Sequence, residues 1–471
     1  MVGVPRSSGC ALCVKRRVKC DERTPGCAKC ETYGKPCPGY DRAFKFVAGK
    51  PHRGRRQPGS SSGKADERSK SARTSVIVPV QSAYQFLIQR ESPSSMVSAD
   101  LNVFQHLCIL IDDFSQPVSA NRTHSVSRWF GFLPSIYGQS RTLDATIKSF
   151  TAHHIGRITQ NKQMVLYAQT AYGEALCILR KSLQNPSERL SSHVFCAVVL
   201  LCIYELFTDT EDPQSWMKHV KGLSQLVQIR GPGRYRSELD ITLLKASRGL
   251  IVMHSMFSGE ACFLASDEWH RIMQQRFSTS LPTESYRSIE QFFAHFTQAP
   301  SLVHKFYSLK DMEPTSPEAL QMTSELLSKT LEVQHDLAVW YEGFSRLAPR
   351  PVEAISSTGD DLYPIVLLYS DVGFATIFCS YYAYKVIIHE ILKTCIYPGQ
   401  HEATTIYFRD QICRSIEYNG IGILGPYRMG FPLRVAFEVA DPVTRSWILG
   451  HLERFSKIYA AAQSKDYQPI S

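Results

Sequence analysis

The residues with the clearest chemistry lie near the start of the chain, where six cysteines fall within CALCVKRRVKC, DERTPG and CAKCETYGKPC at positions 10–37. Their spacing is C-x2-C-x6-C-x6-C-x2-C-x6-C, so the two halves repeat one another. A C-x2-C step at a helix start places two thiolates on one metal ion, and a third cysteine seven residues later returns after the helix has ended. Cys10, Cys13 and Cys20 form one such set, and Cys27, Cys30 and Cys37 form the other. Tetrahedral zinc takes four ligands. Two zinc ions need about eight ligand positions, and six thiolates fill them only if two bridge both ions. The implied chemistry is a binuclear thiolate cluster holding a segment with almost no hydrophobic core of its own.

The array resembles that of the fungal binuclear zinc-cluster (Zn2Cys6) transcription factors. The match runs from Cys10 to Cys37 without a gap and includes Asp21 after the third cysteine and Pro25 between the halves. The resemblance implies two Zn2+ per chain, bridged by the first and fourth cysteines, here Cys10 and Cys27. A structural zinc module or a metal-storage segment is the plain alternative, and charge placement separates the readings. Between Cys13 and Cys20 lie Lys15, Arg16, Arg17 and Lys19, whereas the matching ETYGKP carries only Lys35, offset by Glu31. The resemblance further implies that the end of the first helix enters the major groove of double-stranded DNA and reads short CGG-type triplets. Arg16 and Arg17 then fall at the base-contacting positions, where an arginine fork suits the O6/N7 edge of guanine. Lys15 and Lys19 are assigned to phosphates. Val14 departs from the Arg or Lys often found there.

Charge along the chain supports a polyanionic partner. Of a net charge of +10 over 471 residues, residues 1–73 hold 18 Lys/Arg against 6 Asp/Glu, leaving 35 against 37 for the rest. A basic arm on a near-neutral body points first to nucleic acid and second to an acidic membrane surface. Six thiolates and two Zn2+ sum to about −2, which the arm's cations outweigh. Residues 41–75 form a basic linker in which Arg53-Gly54-Arg55 resembles an AT-hook core, with Arg56 where that motif has Pro. Arg53 and Arg55 are expected to lie in an A·T-rich minor groove, with a nuclear-import signal or a phosphate tether as alternatives. A coiled coil has one short candidate, Val80 to Ile88, too few heptads to pair chains. Homodimerisation would then use the helical body.

The body shows helical spacing. Val103, Leu107, Leu110 and Phe114 recur at four, three and four, as do Trp216, Val220, Leu223 and Val227. Asp212 and Pro213 are expected to open the second of these helices, and Gly231-Pro232-Gly233 to stop it. Similar periodicity covers 142–184, 192–208, 237–258, 318–345, 362–395, 403–419 and 441–463, and strand-like alternation is scarce. The apolar runs Val194–Tyr204 and Val372–Tyr384 are too short to span a membrane and read as buried helices. The remaining eight cysteines (Cys108, Cys177, Cys196, Cys202, Cys262, Cys379, Cys395, Cys413) read as core residues. Stretches such as YGEALCILRKSL, SWMKHVKGLSQLVQIRGP, CFLASDEW and GFPLRVAFEVADP resemble the fungal-specific transcription factor domain of the same regulators.

Catalytic signatures are weak, and no catalytic residues are assigned. Gly420 to Gly425 match GxGxxG, but a helical pattern precedes them, and Pro426, Gly430 and Pro432 follow where a helix should open. His389-Glu390 and His401-Glu402 each lack a zincin's second histidine. His153-His154 reads as a solvated pair, and His219 as a hydrogen-bonded or exposed structural residue. The expected fold class is mostly α: a small Zn2Cys6 DNA-binding module and a large all-α regulatory domain. The expected layout is a tail at 1–9, the zinc module at 10–40, a flexible linker at 41–99 and the helical domain at 100–465. The implied function is a nuclear, pathway-specific regulator working with the transcription machinery and without a membrane, such as one controlling a secondary-metabolite gene cluster. A repressor is the nearest alternative, and an enzyme or RNA-binding protein with an accessory zinc module is more distant.

Overall fold

A computed structural model of the chain describes residues 10–38 except 22, 24 and 25, and then 96–115, 129–208, 215–275 and 283–462. Arg53, Arg55, the Val80–Ile88 stretch, Asp212 and Pro213 lie outside the described residues. The chain divides into two units, residues 1–79 and 80–471.

In the first unit two short helices, α1 (Ala11–Lys15) and α2 (Ala28–Thr32), each begin directly after the first cysteine of a half and carry the second. The residues at the centre are sulfurs rather than hydrocarbons: Cys10, Cys13, Cys27 and Cys30 are fully buried, with Leu12, Cys20 and Cys37 around them. Asp21 Oδ2 accepts from the Ala28 amide at 3.1 Å, satisfying the first free N–H of α2 from the other half.

The second unit is a helical body around one apolar core. At its centre the helix Ser192–Phe207 has every residue from Val194 to Phe207 buried, as a helix apolar on all sides must. Side-chain caps start several helices: Ser140, Ser191, Ser237, Ser316 and Asp441 each accept from an amide in the following turn. The helix Ser215–Arg230 buries Trp216, Val220, Leu223 and Val227 and ends where Gly231 takes a φ of +68°. The expected stretch at 142–184 is two helices, Arg141–Ile158 and Lys162–Gln184, split where Gln160 turns left-handed and Asn161 caps the second.

Several expectations are corrected. Residues 362–371 are not helical: β1 (Val352–Ile355) pairs antiparallel with β2 (Ile365–Leu368), Val352 opposite Leu368 and Ile355 opposite Ile365. Pro364 and the β-branched Ile365-Val366 favour a strand, and the helix begins only after its cap, Asp371. The all-α domain thus carries a hairpin. Helices Thr283–Phe296, Ala299–Lys310 and Gly425–Glu438 were not anticipated. In the last of these Pro426 occupies the first turn, where no N–H is needed, and packing of Met429, Leu433 and Phe437 outweighs the interior Pro432. His153 and His154 are buried, not solvated, because their helix is packed on several sides. Among the scattered cysteines, Cys108 and Cys177 are exposed and Cys395 is half-buried, while the other five are buried. Among the described residues, no helix is long and apolar enough to cross a membrane.

Candidate metal centre and nucleic-acid interface

Each half delivers its cysteines by the same local geometry. The first sits before a short helix, the second one turn into it, and the third on the returning strand of chain. Cys10 Sγ lies 3.7 Å from Cys27 Sγ and 3.5 Å from Cys30 Sγ, and Cys13 Sγ lies 3.6 Å from Cys27 Sγ. Sulfurs at about 2.3 Å from a tetrahedral zinc stand roughly 3.8 Å apart, so this spacing fits the ion. The sulfurs form two quartets, Cys10, Cys13, Cys20, Cys27 and Cys10, Cys27, Cys30, Cys37, each within 4.8 Å. The two quartets share Cys10 and Cys27.

Desolvation makes these thiols hard to ionise alone. Burial pushes Cys13 up to about 12 and also raises Cys27 and Cys30. So many sulfurs in contact can be thiolates together only around cations, and metal binding must displace their protons. The Cys13 amide points at Cys10 Sγ and the Cys10 amide at Cys20 Sγ, both at 3.4 Å, which suits sulfurs carrying negative charge.

The basic segment after α1 is not uniform. Lys15, Arg17 and Lys19 are exposed, and their side chains make no hydrogen bond or ion pair among the described residues. Arg16 behaves differently. Its guanidinium carbon stands 3.4 Å from the centre of the Tyr33 ring, and its Nη1 donates to the Lys29 carbonyl at 3.4 Å. It therefore joins the first half to the second, as does the Arg23–Glu31 ion pair. Tyr33 was not singled out as a partner of Arg16; its place just after α2, facing the end of α1, is visible only once the halves are folded together.

The other sequence candidates form no such centre. Gly420 and Gly425 close on each other: a Cβ on Gly425 would lie 2.0 Å from the Gly420 carbonyl oxygen. Arg428 fills the same turn, donating to the Asn419 and Ile421 carbonyls at 3.0 and 2.6 Å. A helix does open at Gly425, contrary to expectation, yet no strand precedes it and the turn leaves no cradle for phosphate. The two His-Glu pairs come together through His389 Nδ1 and His401 Nδ1 at 3.1 Å, and the His401 Nε2 side is taken by the Tyr397 carbonyl. His154 Nε2 meets Asp113 Oδ2 at 2.7 Å. His219 Nε2 lies 3.2 Å from the Tyr172 hydroxyl and 3.5 Å from buried Glu205, a structural hydrogen-bonded histidine.

Family comparisons agree with this division. The fungal Zn(2)-Cys(6) binuclear cluster domain matches residues 8–45, and the fungal specific transcription factor domain matches residues 131–299. The first match falls on the zinc module and the second on the helical body, so the chain is similar to fungal zinc-cluster regulators in both parts. It is similar to White-opaque regulator 2 of Candida albicans, 48% identical over 46 residues, which cover 10% of each chain. It is also similar to the uncharacterized protein AN5342 of Emericella nidulans, 23% identical over 171 residues, 36% of each chain. The matches thus span about a third of one relative's length and a tenth of the other's. No solved structure matches the chain significantly.

Proposed function

We propose that this protein is a nuclear, sequence-specific regulator that binds double-stranded DNA through a cluster of two Zn2+ ions. The observation that carries the reading is the pair of sulfur quartets sharing Cys10 and Cys27, set beside exposed Lys15, Arg17 and Lys19, which have no side-chain partner among the described residues. The cluster supplies structure: bound zinc fixes the two halves, and every contact to DNA belongs to side chains. Arg17, exposed in the turn just beyond α1, is the reader of a guanine in a CGG-type triplet. Lys15 and Lys19 hold phosphates. Arg16, already stacked on Tyr33, orients the segment before it reaches a base. Arg53 and Arg55 extend the contact along a neighbouring A·T-rich minor groove. The helical body pairs chains and meets the transcription machinery, and the regulator controls one metabolic pathway, such as a secondary-metabolite gene cluster.

The test is binding of the full chain to duplexes with one CGG triplet, a mutated triplet, and flanks of differing A·T content, over a range of salt. Arg17→Ala should lose about 1–3 kcal/mol on the triplet alone, while Lys15→Ala weakens all duplexes alike and lowers the salt slope by about one unit. Tyr33→Ala should weaken specific binding less than Arg17→Ala does. Equal losses on specific and mutated duplexes for every variant would show that this segment tethers rather than reads.

A further inference from the structure

Four helices of the second unit, Glu238–Ser258, Ala299–Lys310, Val372–Thr394 and Gly425–Glu438, converge on a half-enclosed cavity of about 310 Å3. That volume lies at the small end of ligand-sized pockets. Its walls are apolar and adaptable, with Met253 and Met256 on one side and Phe306 and Phe431 on others. Thioether chains conform to an irregular guest, and aromatic faces accept both hydrocarbon and positive charge.

The charges in the walls are not balanced. Glu438 is ion-paired with Arg434, Nη2 to Oε1 at 2.6 Å, one helical turn apart. Glu390 is half-buried in the wall, and among the described residues it has neither a hydrogen bond nor an ion-pair partner. The lining therefore carries one excess negative charge beside apolar surface. A carboxylate drawn partly out of water without a partner is unfavourable, and a guest's ammonium would relieve it. An anionic guest would meet two carboxylates and a guanidinium already engaged. Lys310 is exposed and outside the lining, lying 4.3 Å from the Phe306 ring and 5.6 Å from the Tyr307 ring. Those rings thus already carry one cation, and selection falls to Glu390.

We propose that this cavity binds a small apolar molecule bearing a protonated amine, with its hydrocarbon or aromatic body between the four helices and its ammonium on Glu390.

The probe is 4-phenylbutylamine, compared with 4-phenylbutanol and 4-phenylbutyrate, which share its body and change only its head. Each is titrated at pH 7 into the full chain carrying 13C-methyl methionine, with Met253 and Met256 signals assigned by substitution. The amine should shift both signals and bind about tenfold more tightly than the alcohol, with the acid weakest. Glu390→Gln should bring the amine to the alcohol's affinity and leave the alcohol unchanged, and Val303→Trp, which fills the cavity, should abolish both. Absence of shifts at Met253 and Met256 would overturn the site. Equal affinity of amine and alcohol, tightest binding by the acid, or an amine preference surviving Glu390→Gln would overturn the ligand class. If Val303→Trp does not fold, the Glu390→Gln comparison decides alone.

Discussion

Arg17 and Gly34 hold the same turn in the two halves of the zinc module, each four residues after its half's second cysteine, with φ of 58° and 71°. The amide of the next residue closes both turns, Val18 onto the Cys13 carbonyl at 3.1 Å and Lys35 onto the Cys30 carbonyl at 3.2 Å. One half satisfies this left-handed position with glycine, which meets no steric penalty there. The other places an arginine in it and accepts strain of roughly 1–2 kcal/mol.

Strain held at an exposed cationic residue suggests that side-chain placement outweighs stability at that point. Arg17→Gly should leave the module as stable or up to about 1 kcal/mol more stable, the relief being partly offset by glycine's freedom in the unfolded chain. Competition for zinc against a graded chelator reads that stability. The same variant should lose about 1–3 kcal/mol of discrimination for its triplet. A variant that is less stable, or that discriminates as well as the parent, would mean the turn serves the fold instead.

The shared sulfurs make a second prediction. Metal analysis of the intact chain should give close to two zinc ions, and Cys196→Ser, buried in the helical body, should not change that figure. Cys27→Ser removes a ligand common to both quartets. It should therefore lower both sites together, whereas Cys37→Ser touches a single quartet and should leave some zinc bound. Equal loss from both substitutions would argue against bridging.

Cysteine spacing carried the metal centre because ligand geometry depends on local sequence: short helices and fixed returns deliver the sulfurs with little help from elsewhere. The long helices were legible for a similar reason, since Trp216, Val220, Leu223 and Val227 face one core at helical period. What escaped were features set by contacts distant in sequence. Arg16 looks like any other cation of its run until Tyr33, from the other half, covers it. His153 and His154 look polar and solvated until helices on several sides bury them. At β2 the apolar residues Ile365 to Leu368 stand only three residues before an apolar helix, so periodicity alone could not separate strand from helix.

The turn at Gly420–Gly425 yields a third prediction. A Cβ at position 425 would lie 2.0 Å from the Gly420 carbonyl oxygen and 2.3 Å from its carbon, and both belong to backbone that cannot swing aside. Gly425→Ala should destabilise the body by several kcal/mol, in the range of severe overpacking, about 3 kcal/mol or more. Gly450→Ala, with open space around its Cβ, should be close to neutral or stabilising. Denaturant unfolding of the two variants compares them directly. A mild effect at Gly425 would mean that the turn can open, and would return it to consideration as a binding loop.

His153 is expected to weaken the helical body as the pH falls. Its ring is buried, neither nitrogen has a hydrogen-bond partner among the described residues, and the Tyr204 ring packs against it with centroids 5.4 Å apart. Burial first, and then the positive neighbours Arg157 and His154, lower it from the ordinary 6.5 to about 4. The folded protein thus holds this histidine neutral at a pH where the unfolded chain protonates it. Stability from this group is complete above about pH 6.5 and falls as pH drops towards 4, by up to about 1.4 kcal/mol per pH unit. His389 and His451 are lowered to about 4 as well, mainly by burial, so they steepen the same limb. His153→Phe keeps the aromatic packing and removes the titration. At pH 8 it should cost little, since no hydrogen bond is lost, and between pH 6.5 and 4.5 its urea-unfolding free energy should fall less steeply than that of the parent. Parallel curves for the two proteins would show that His153 finds its proton in the folded state, through an opening of the helices that bury it.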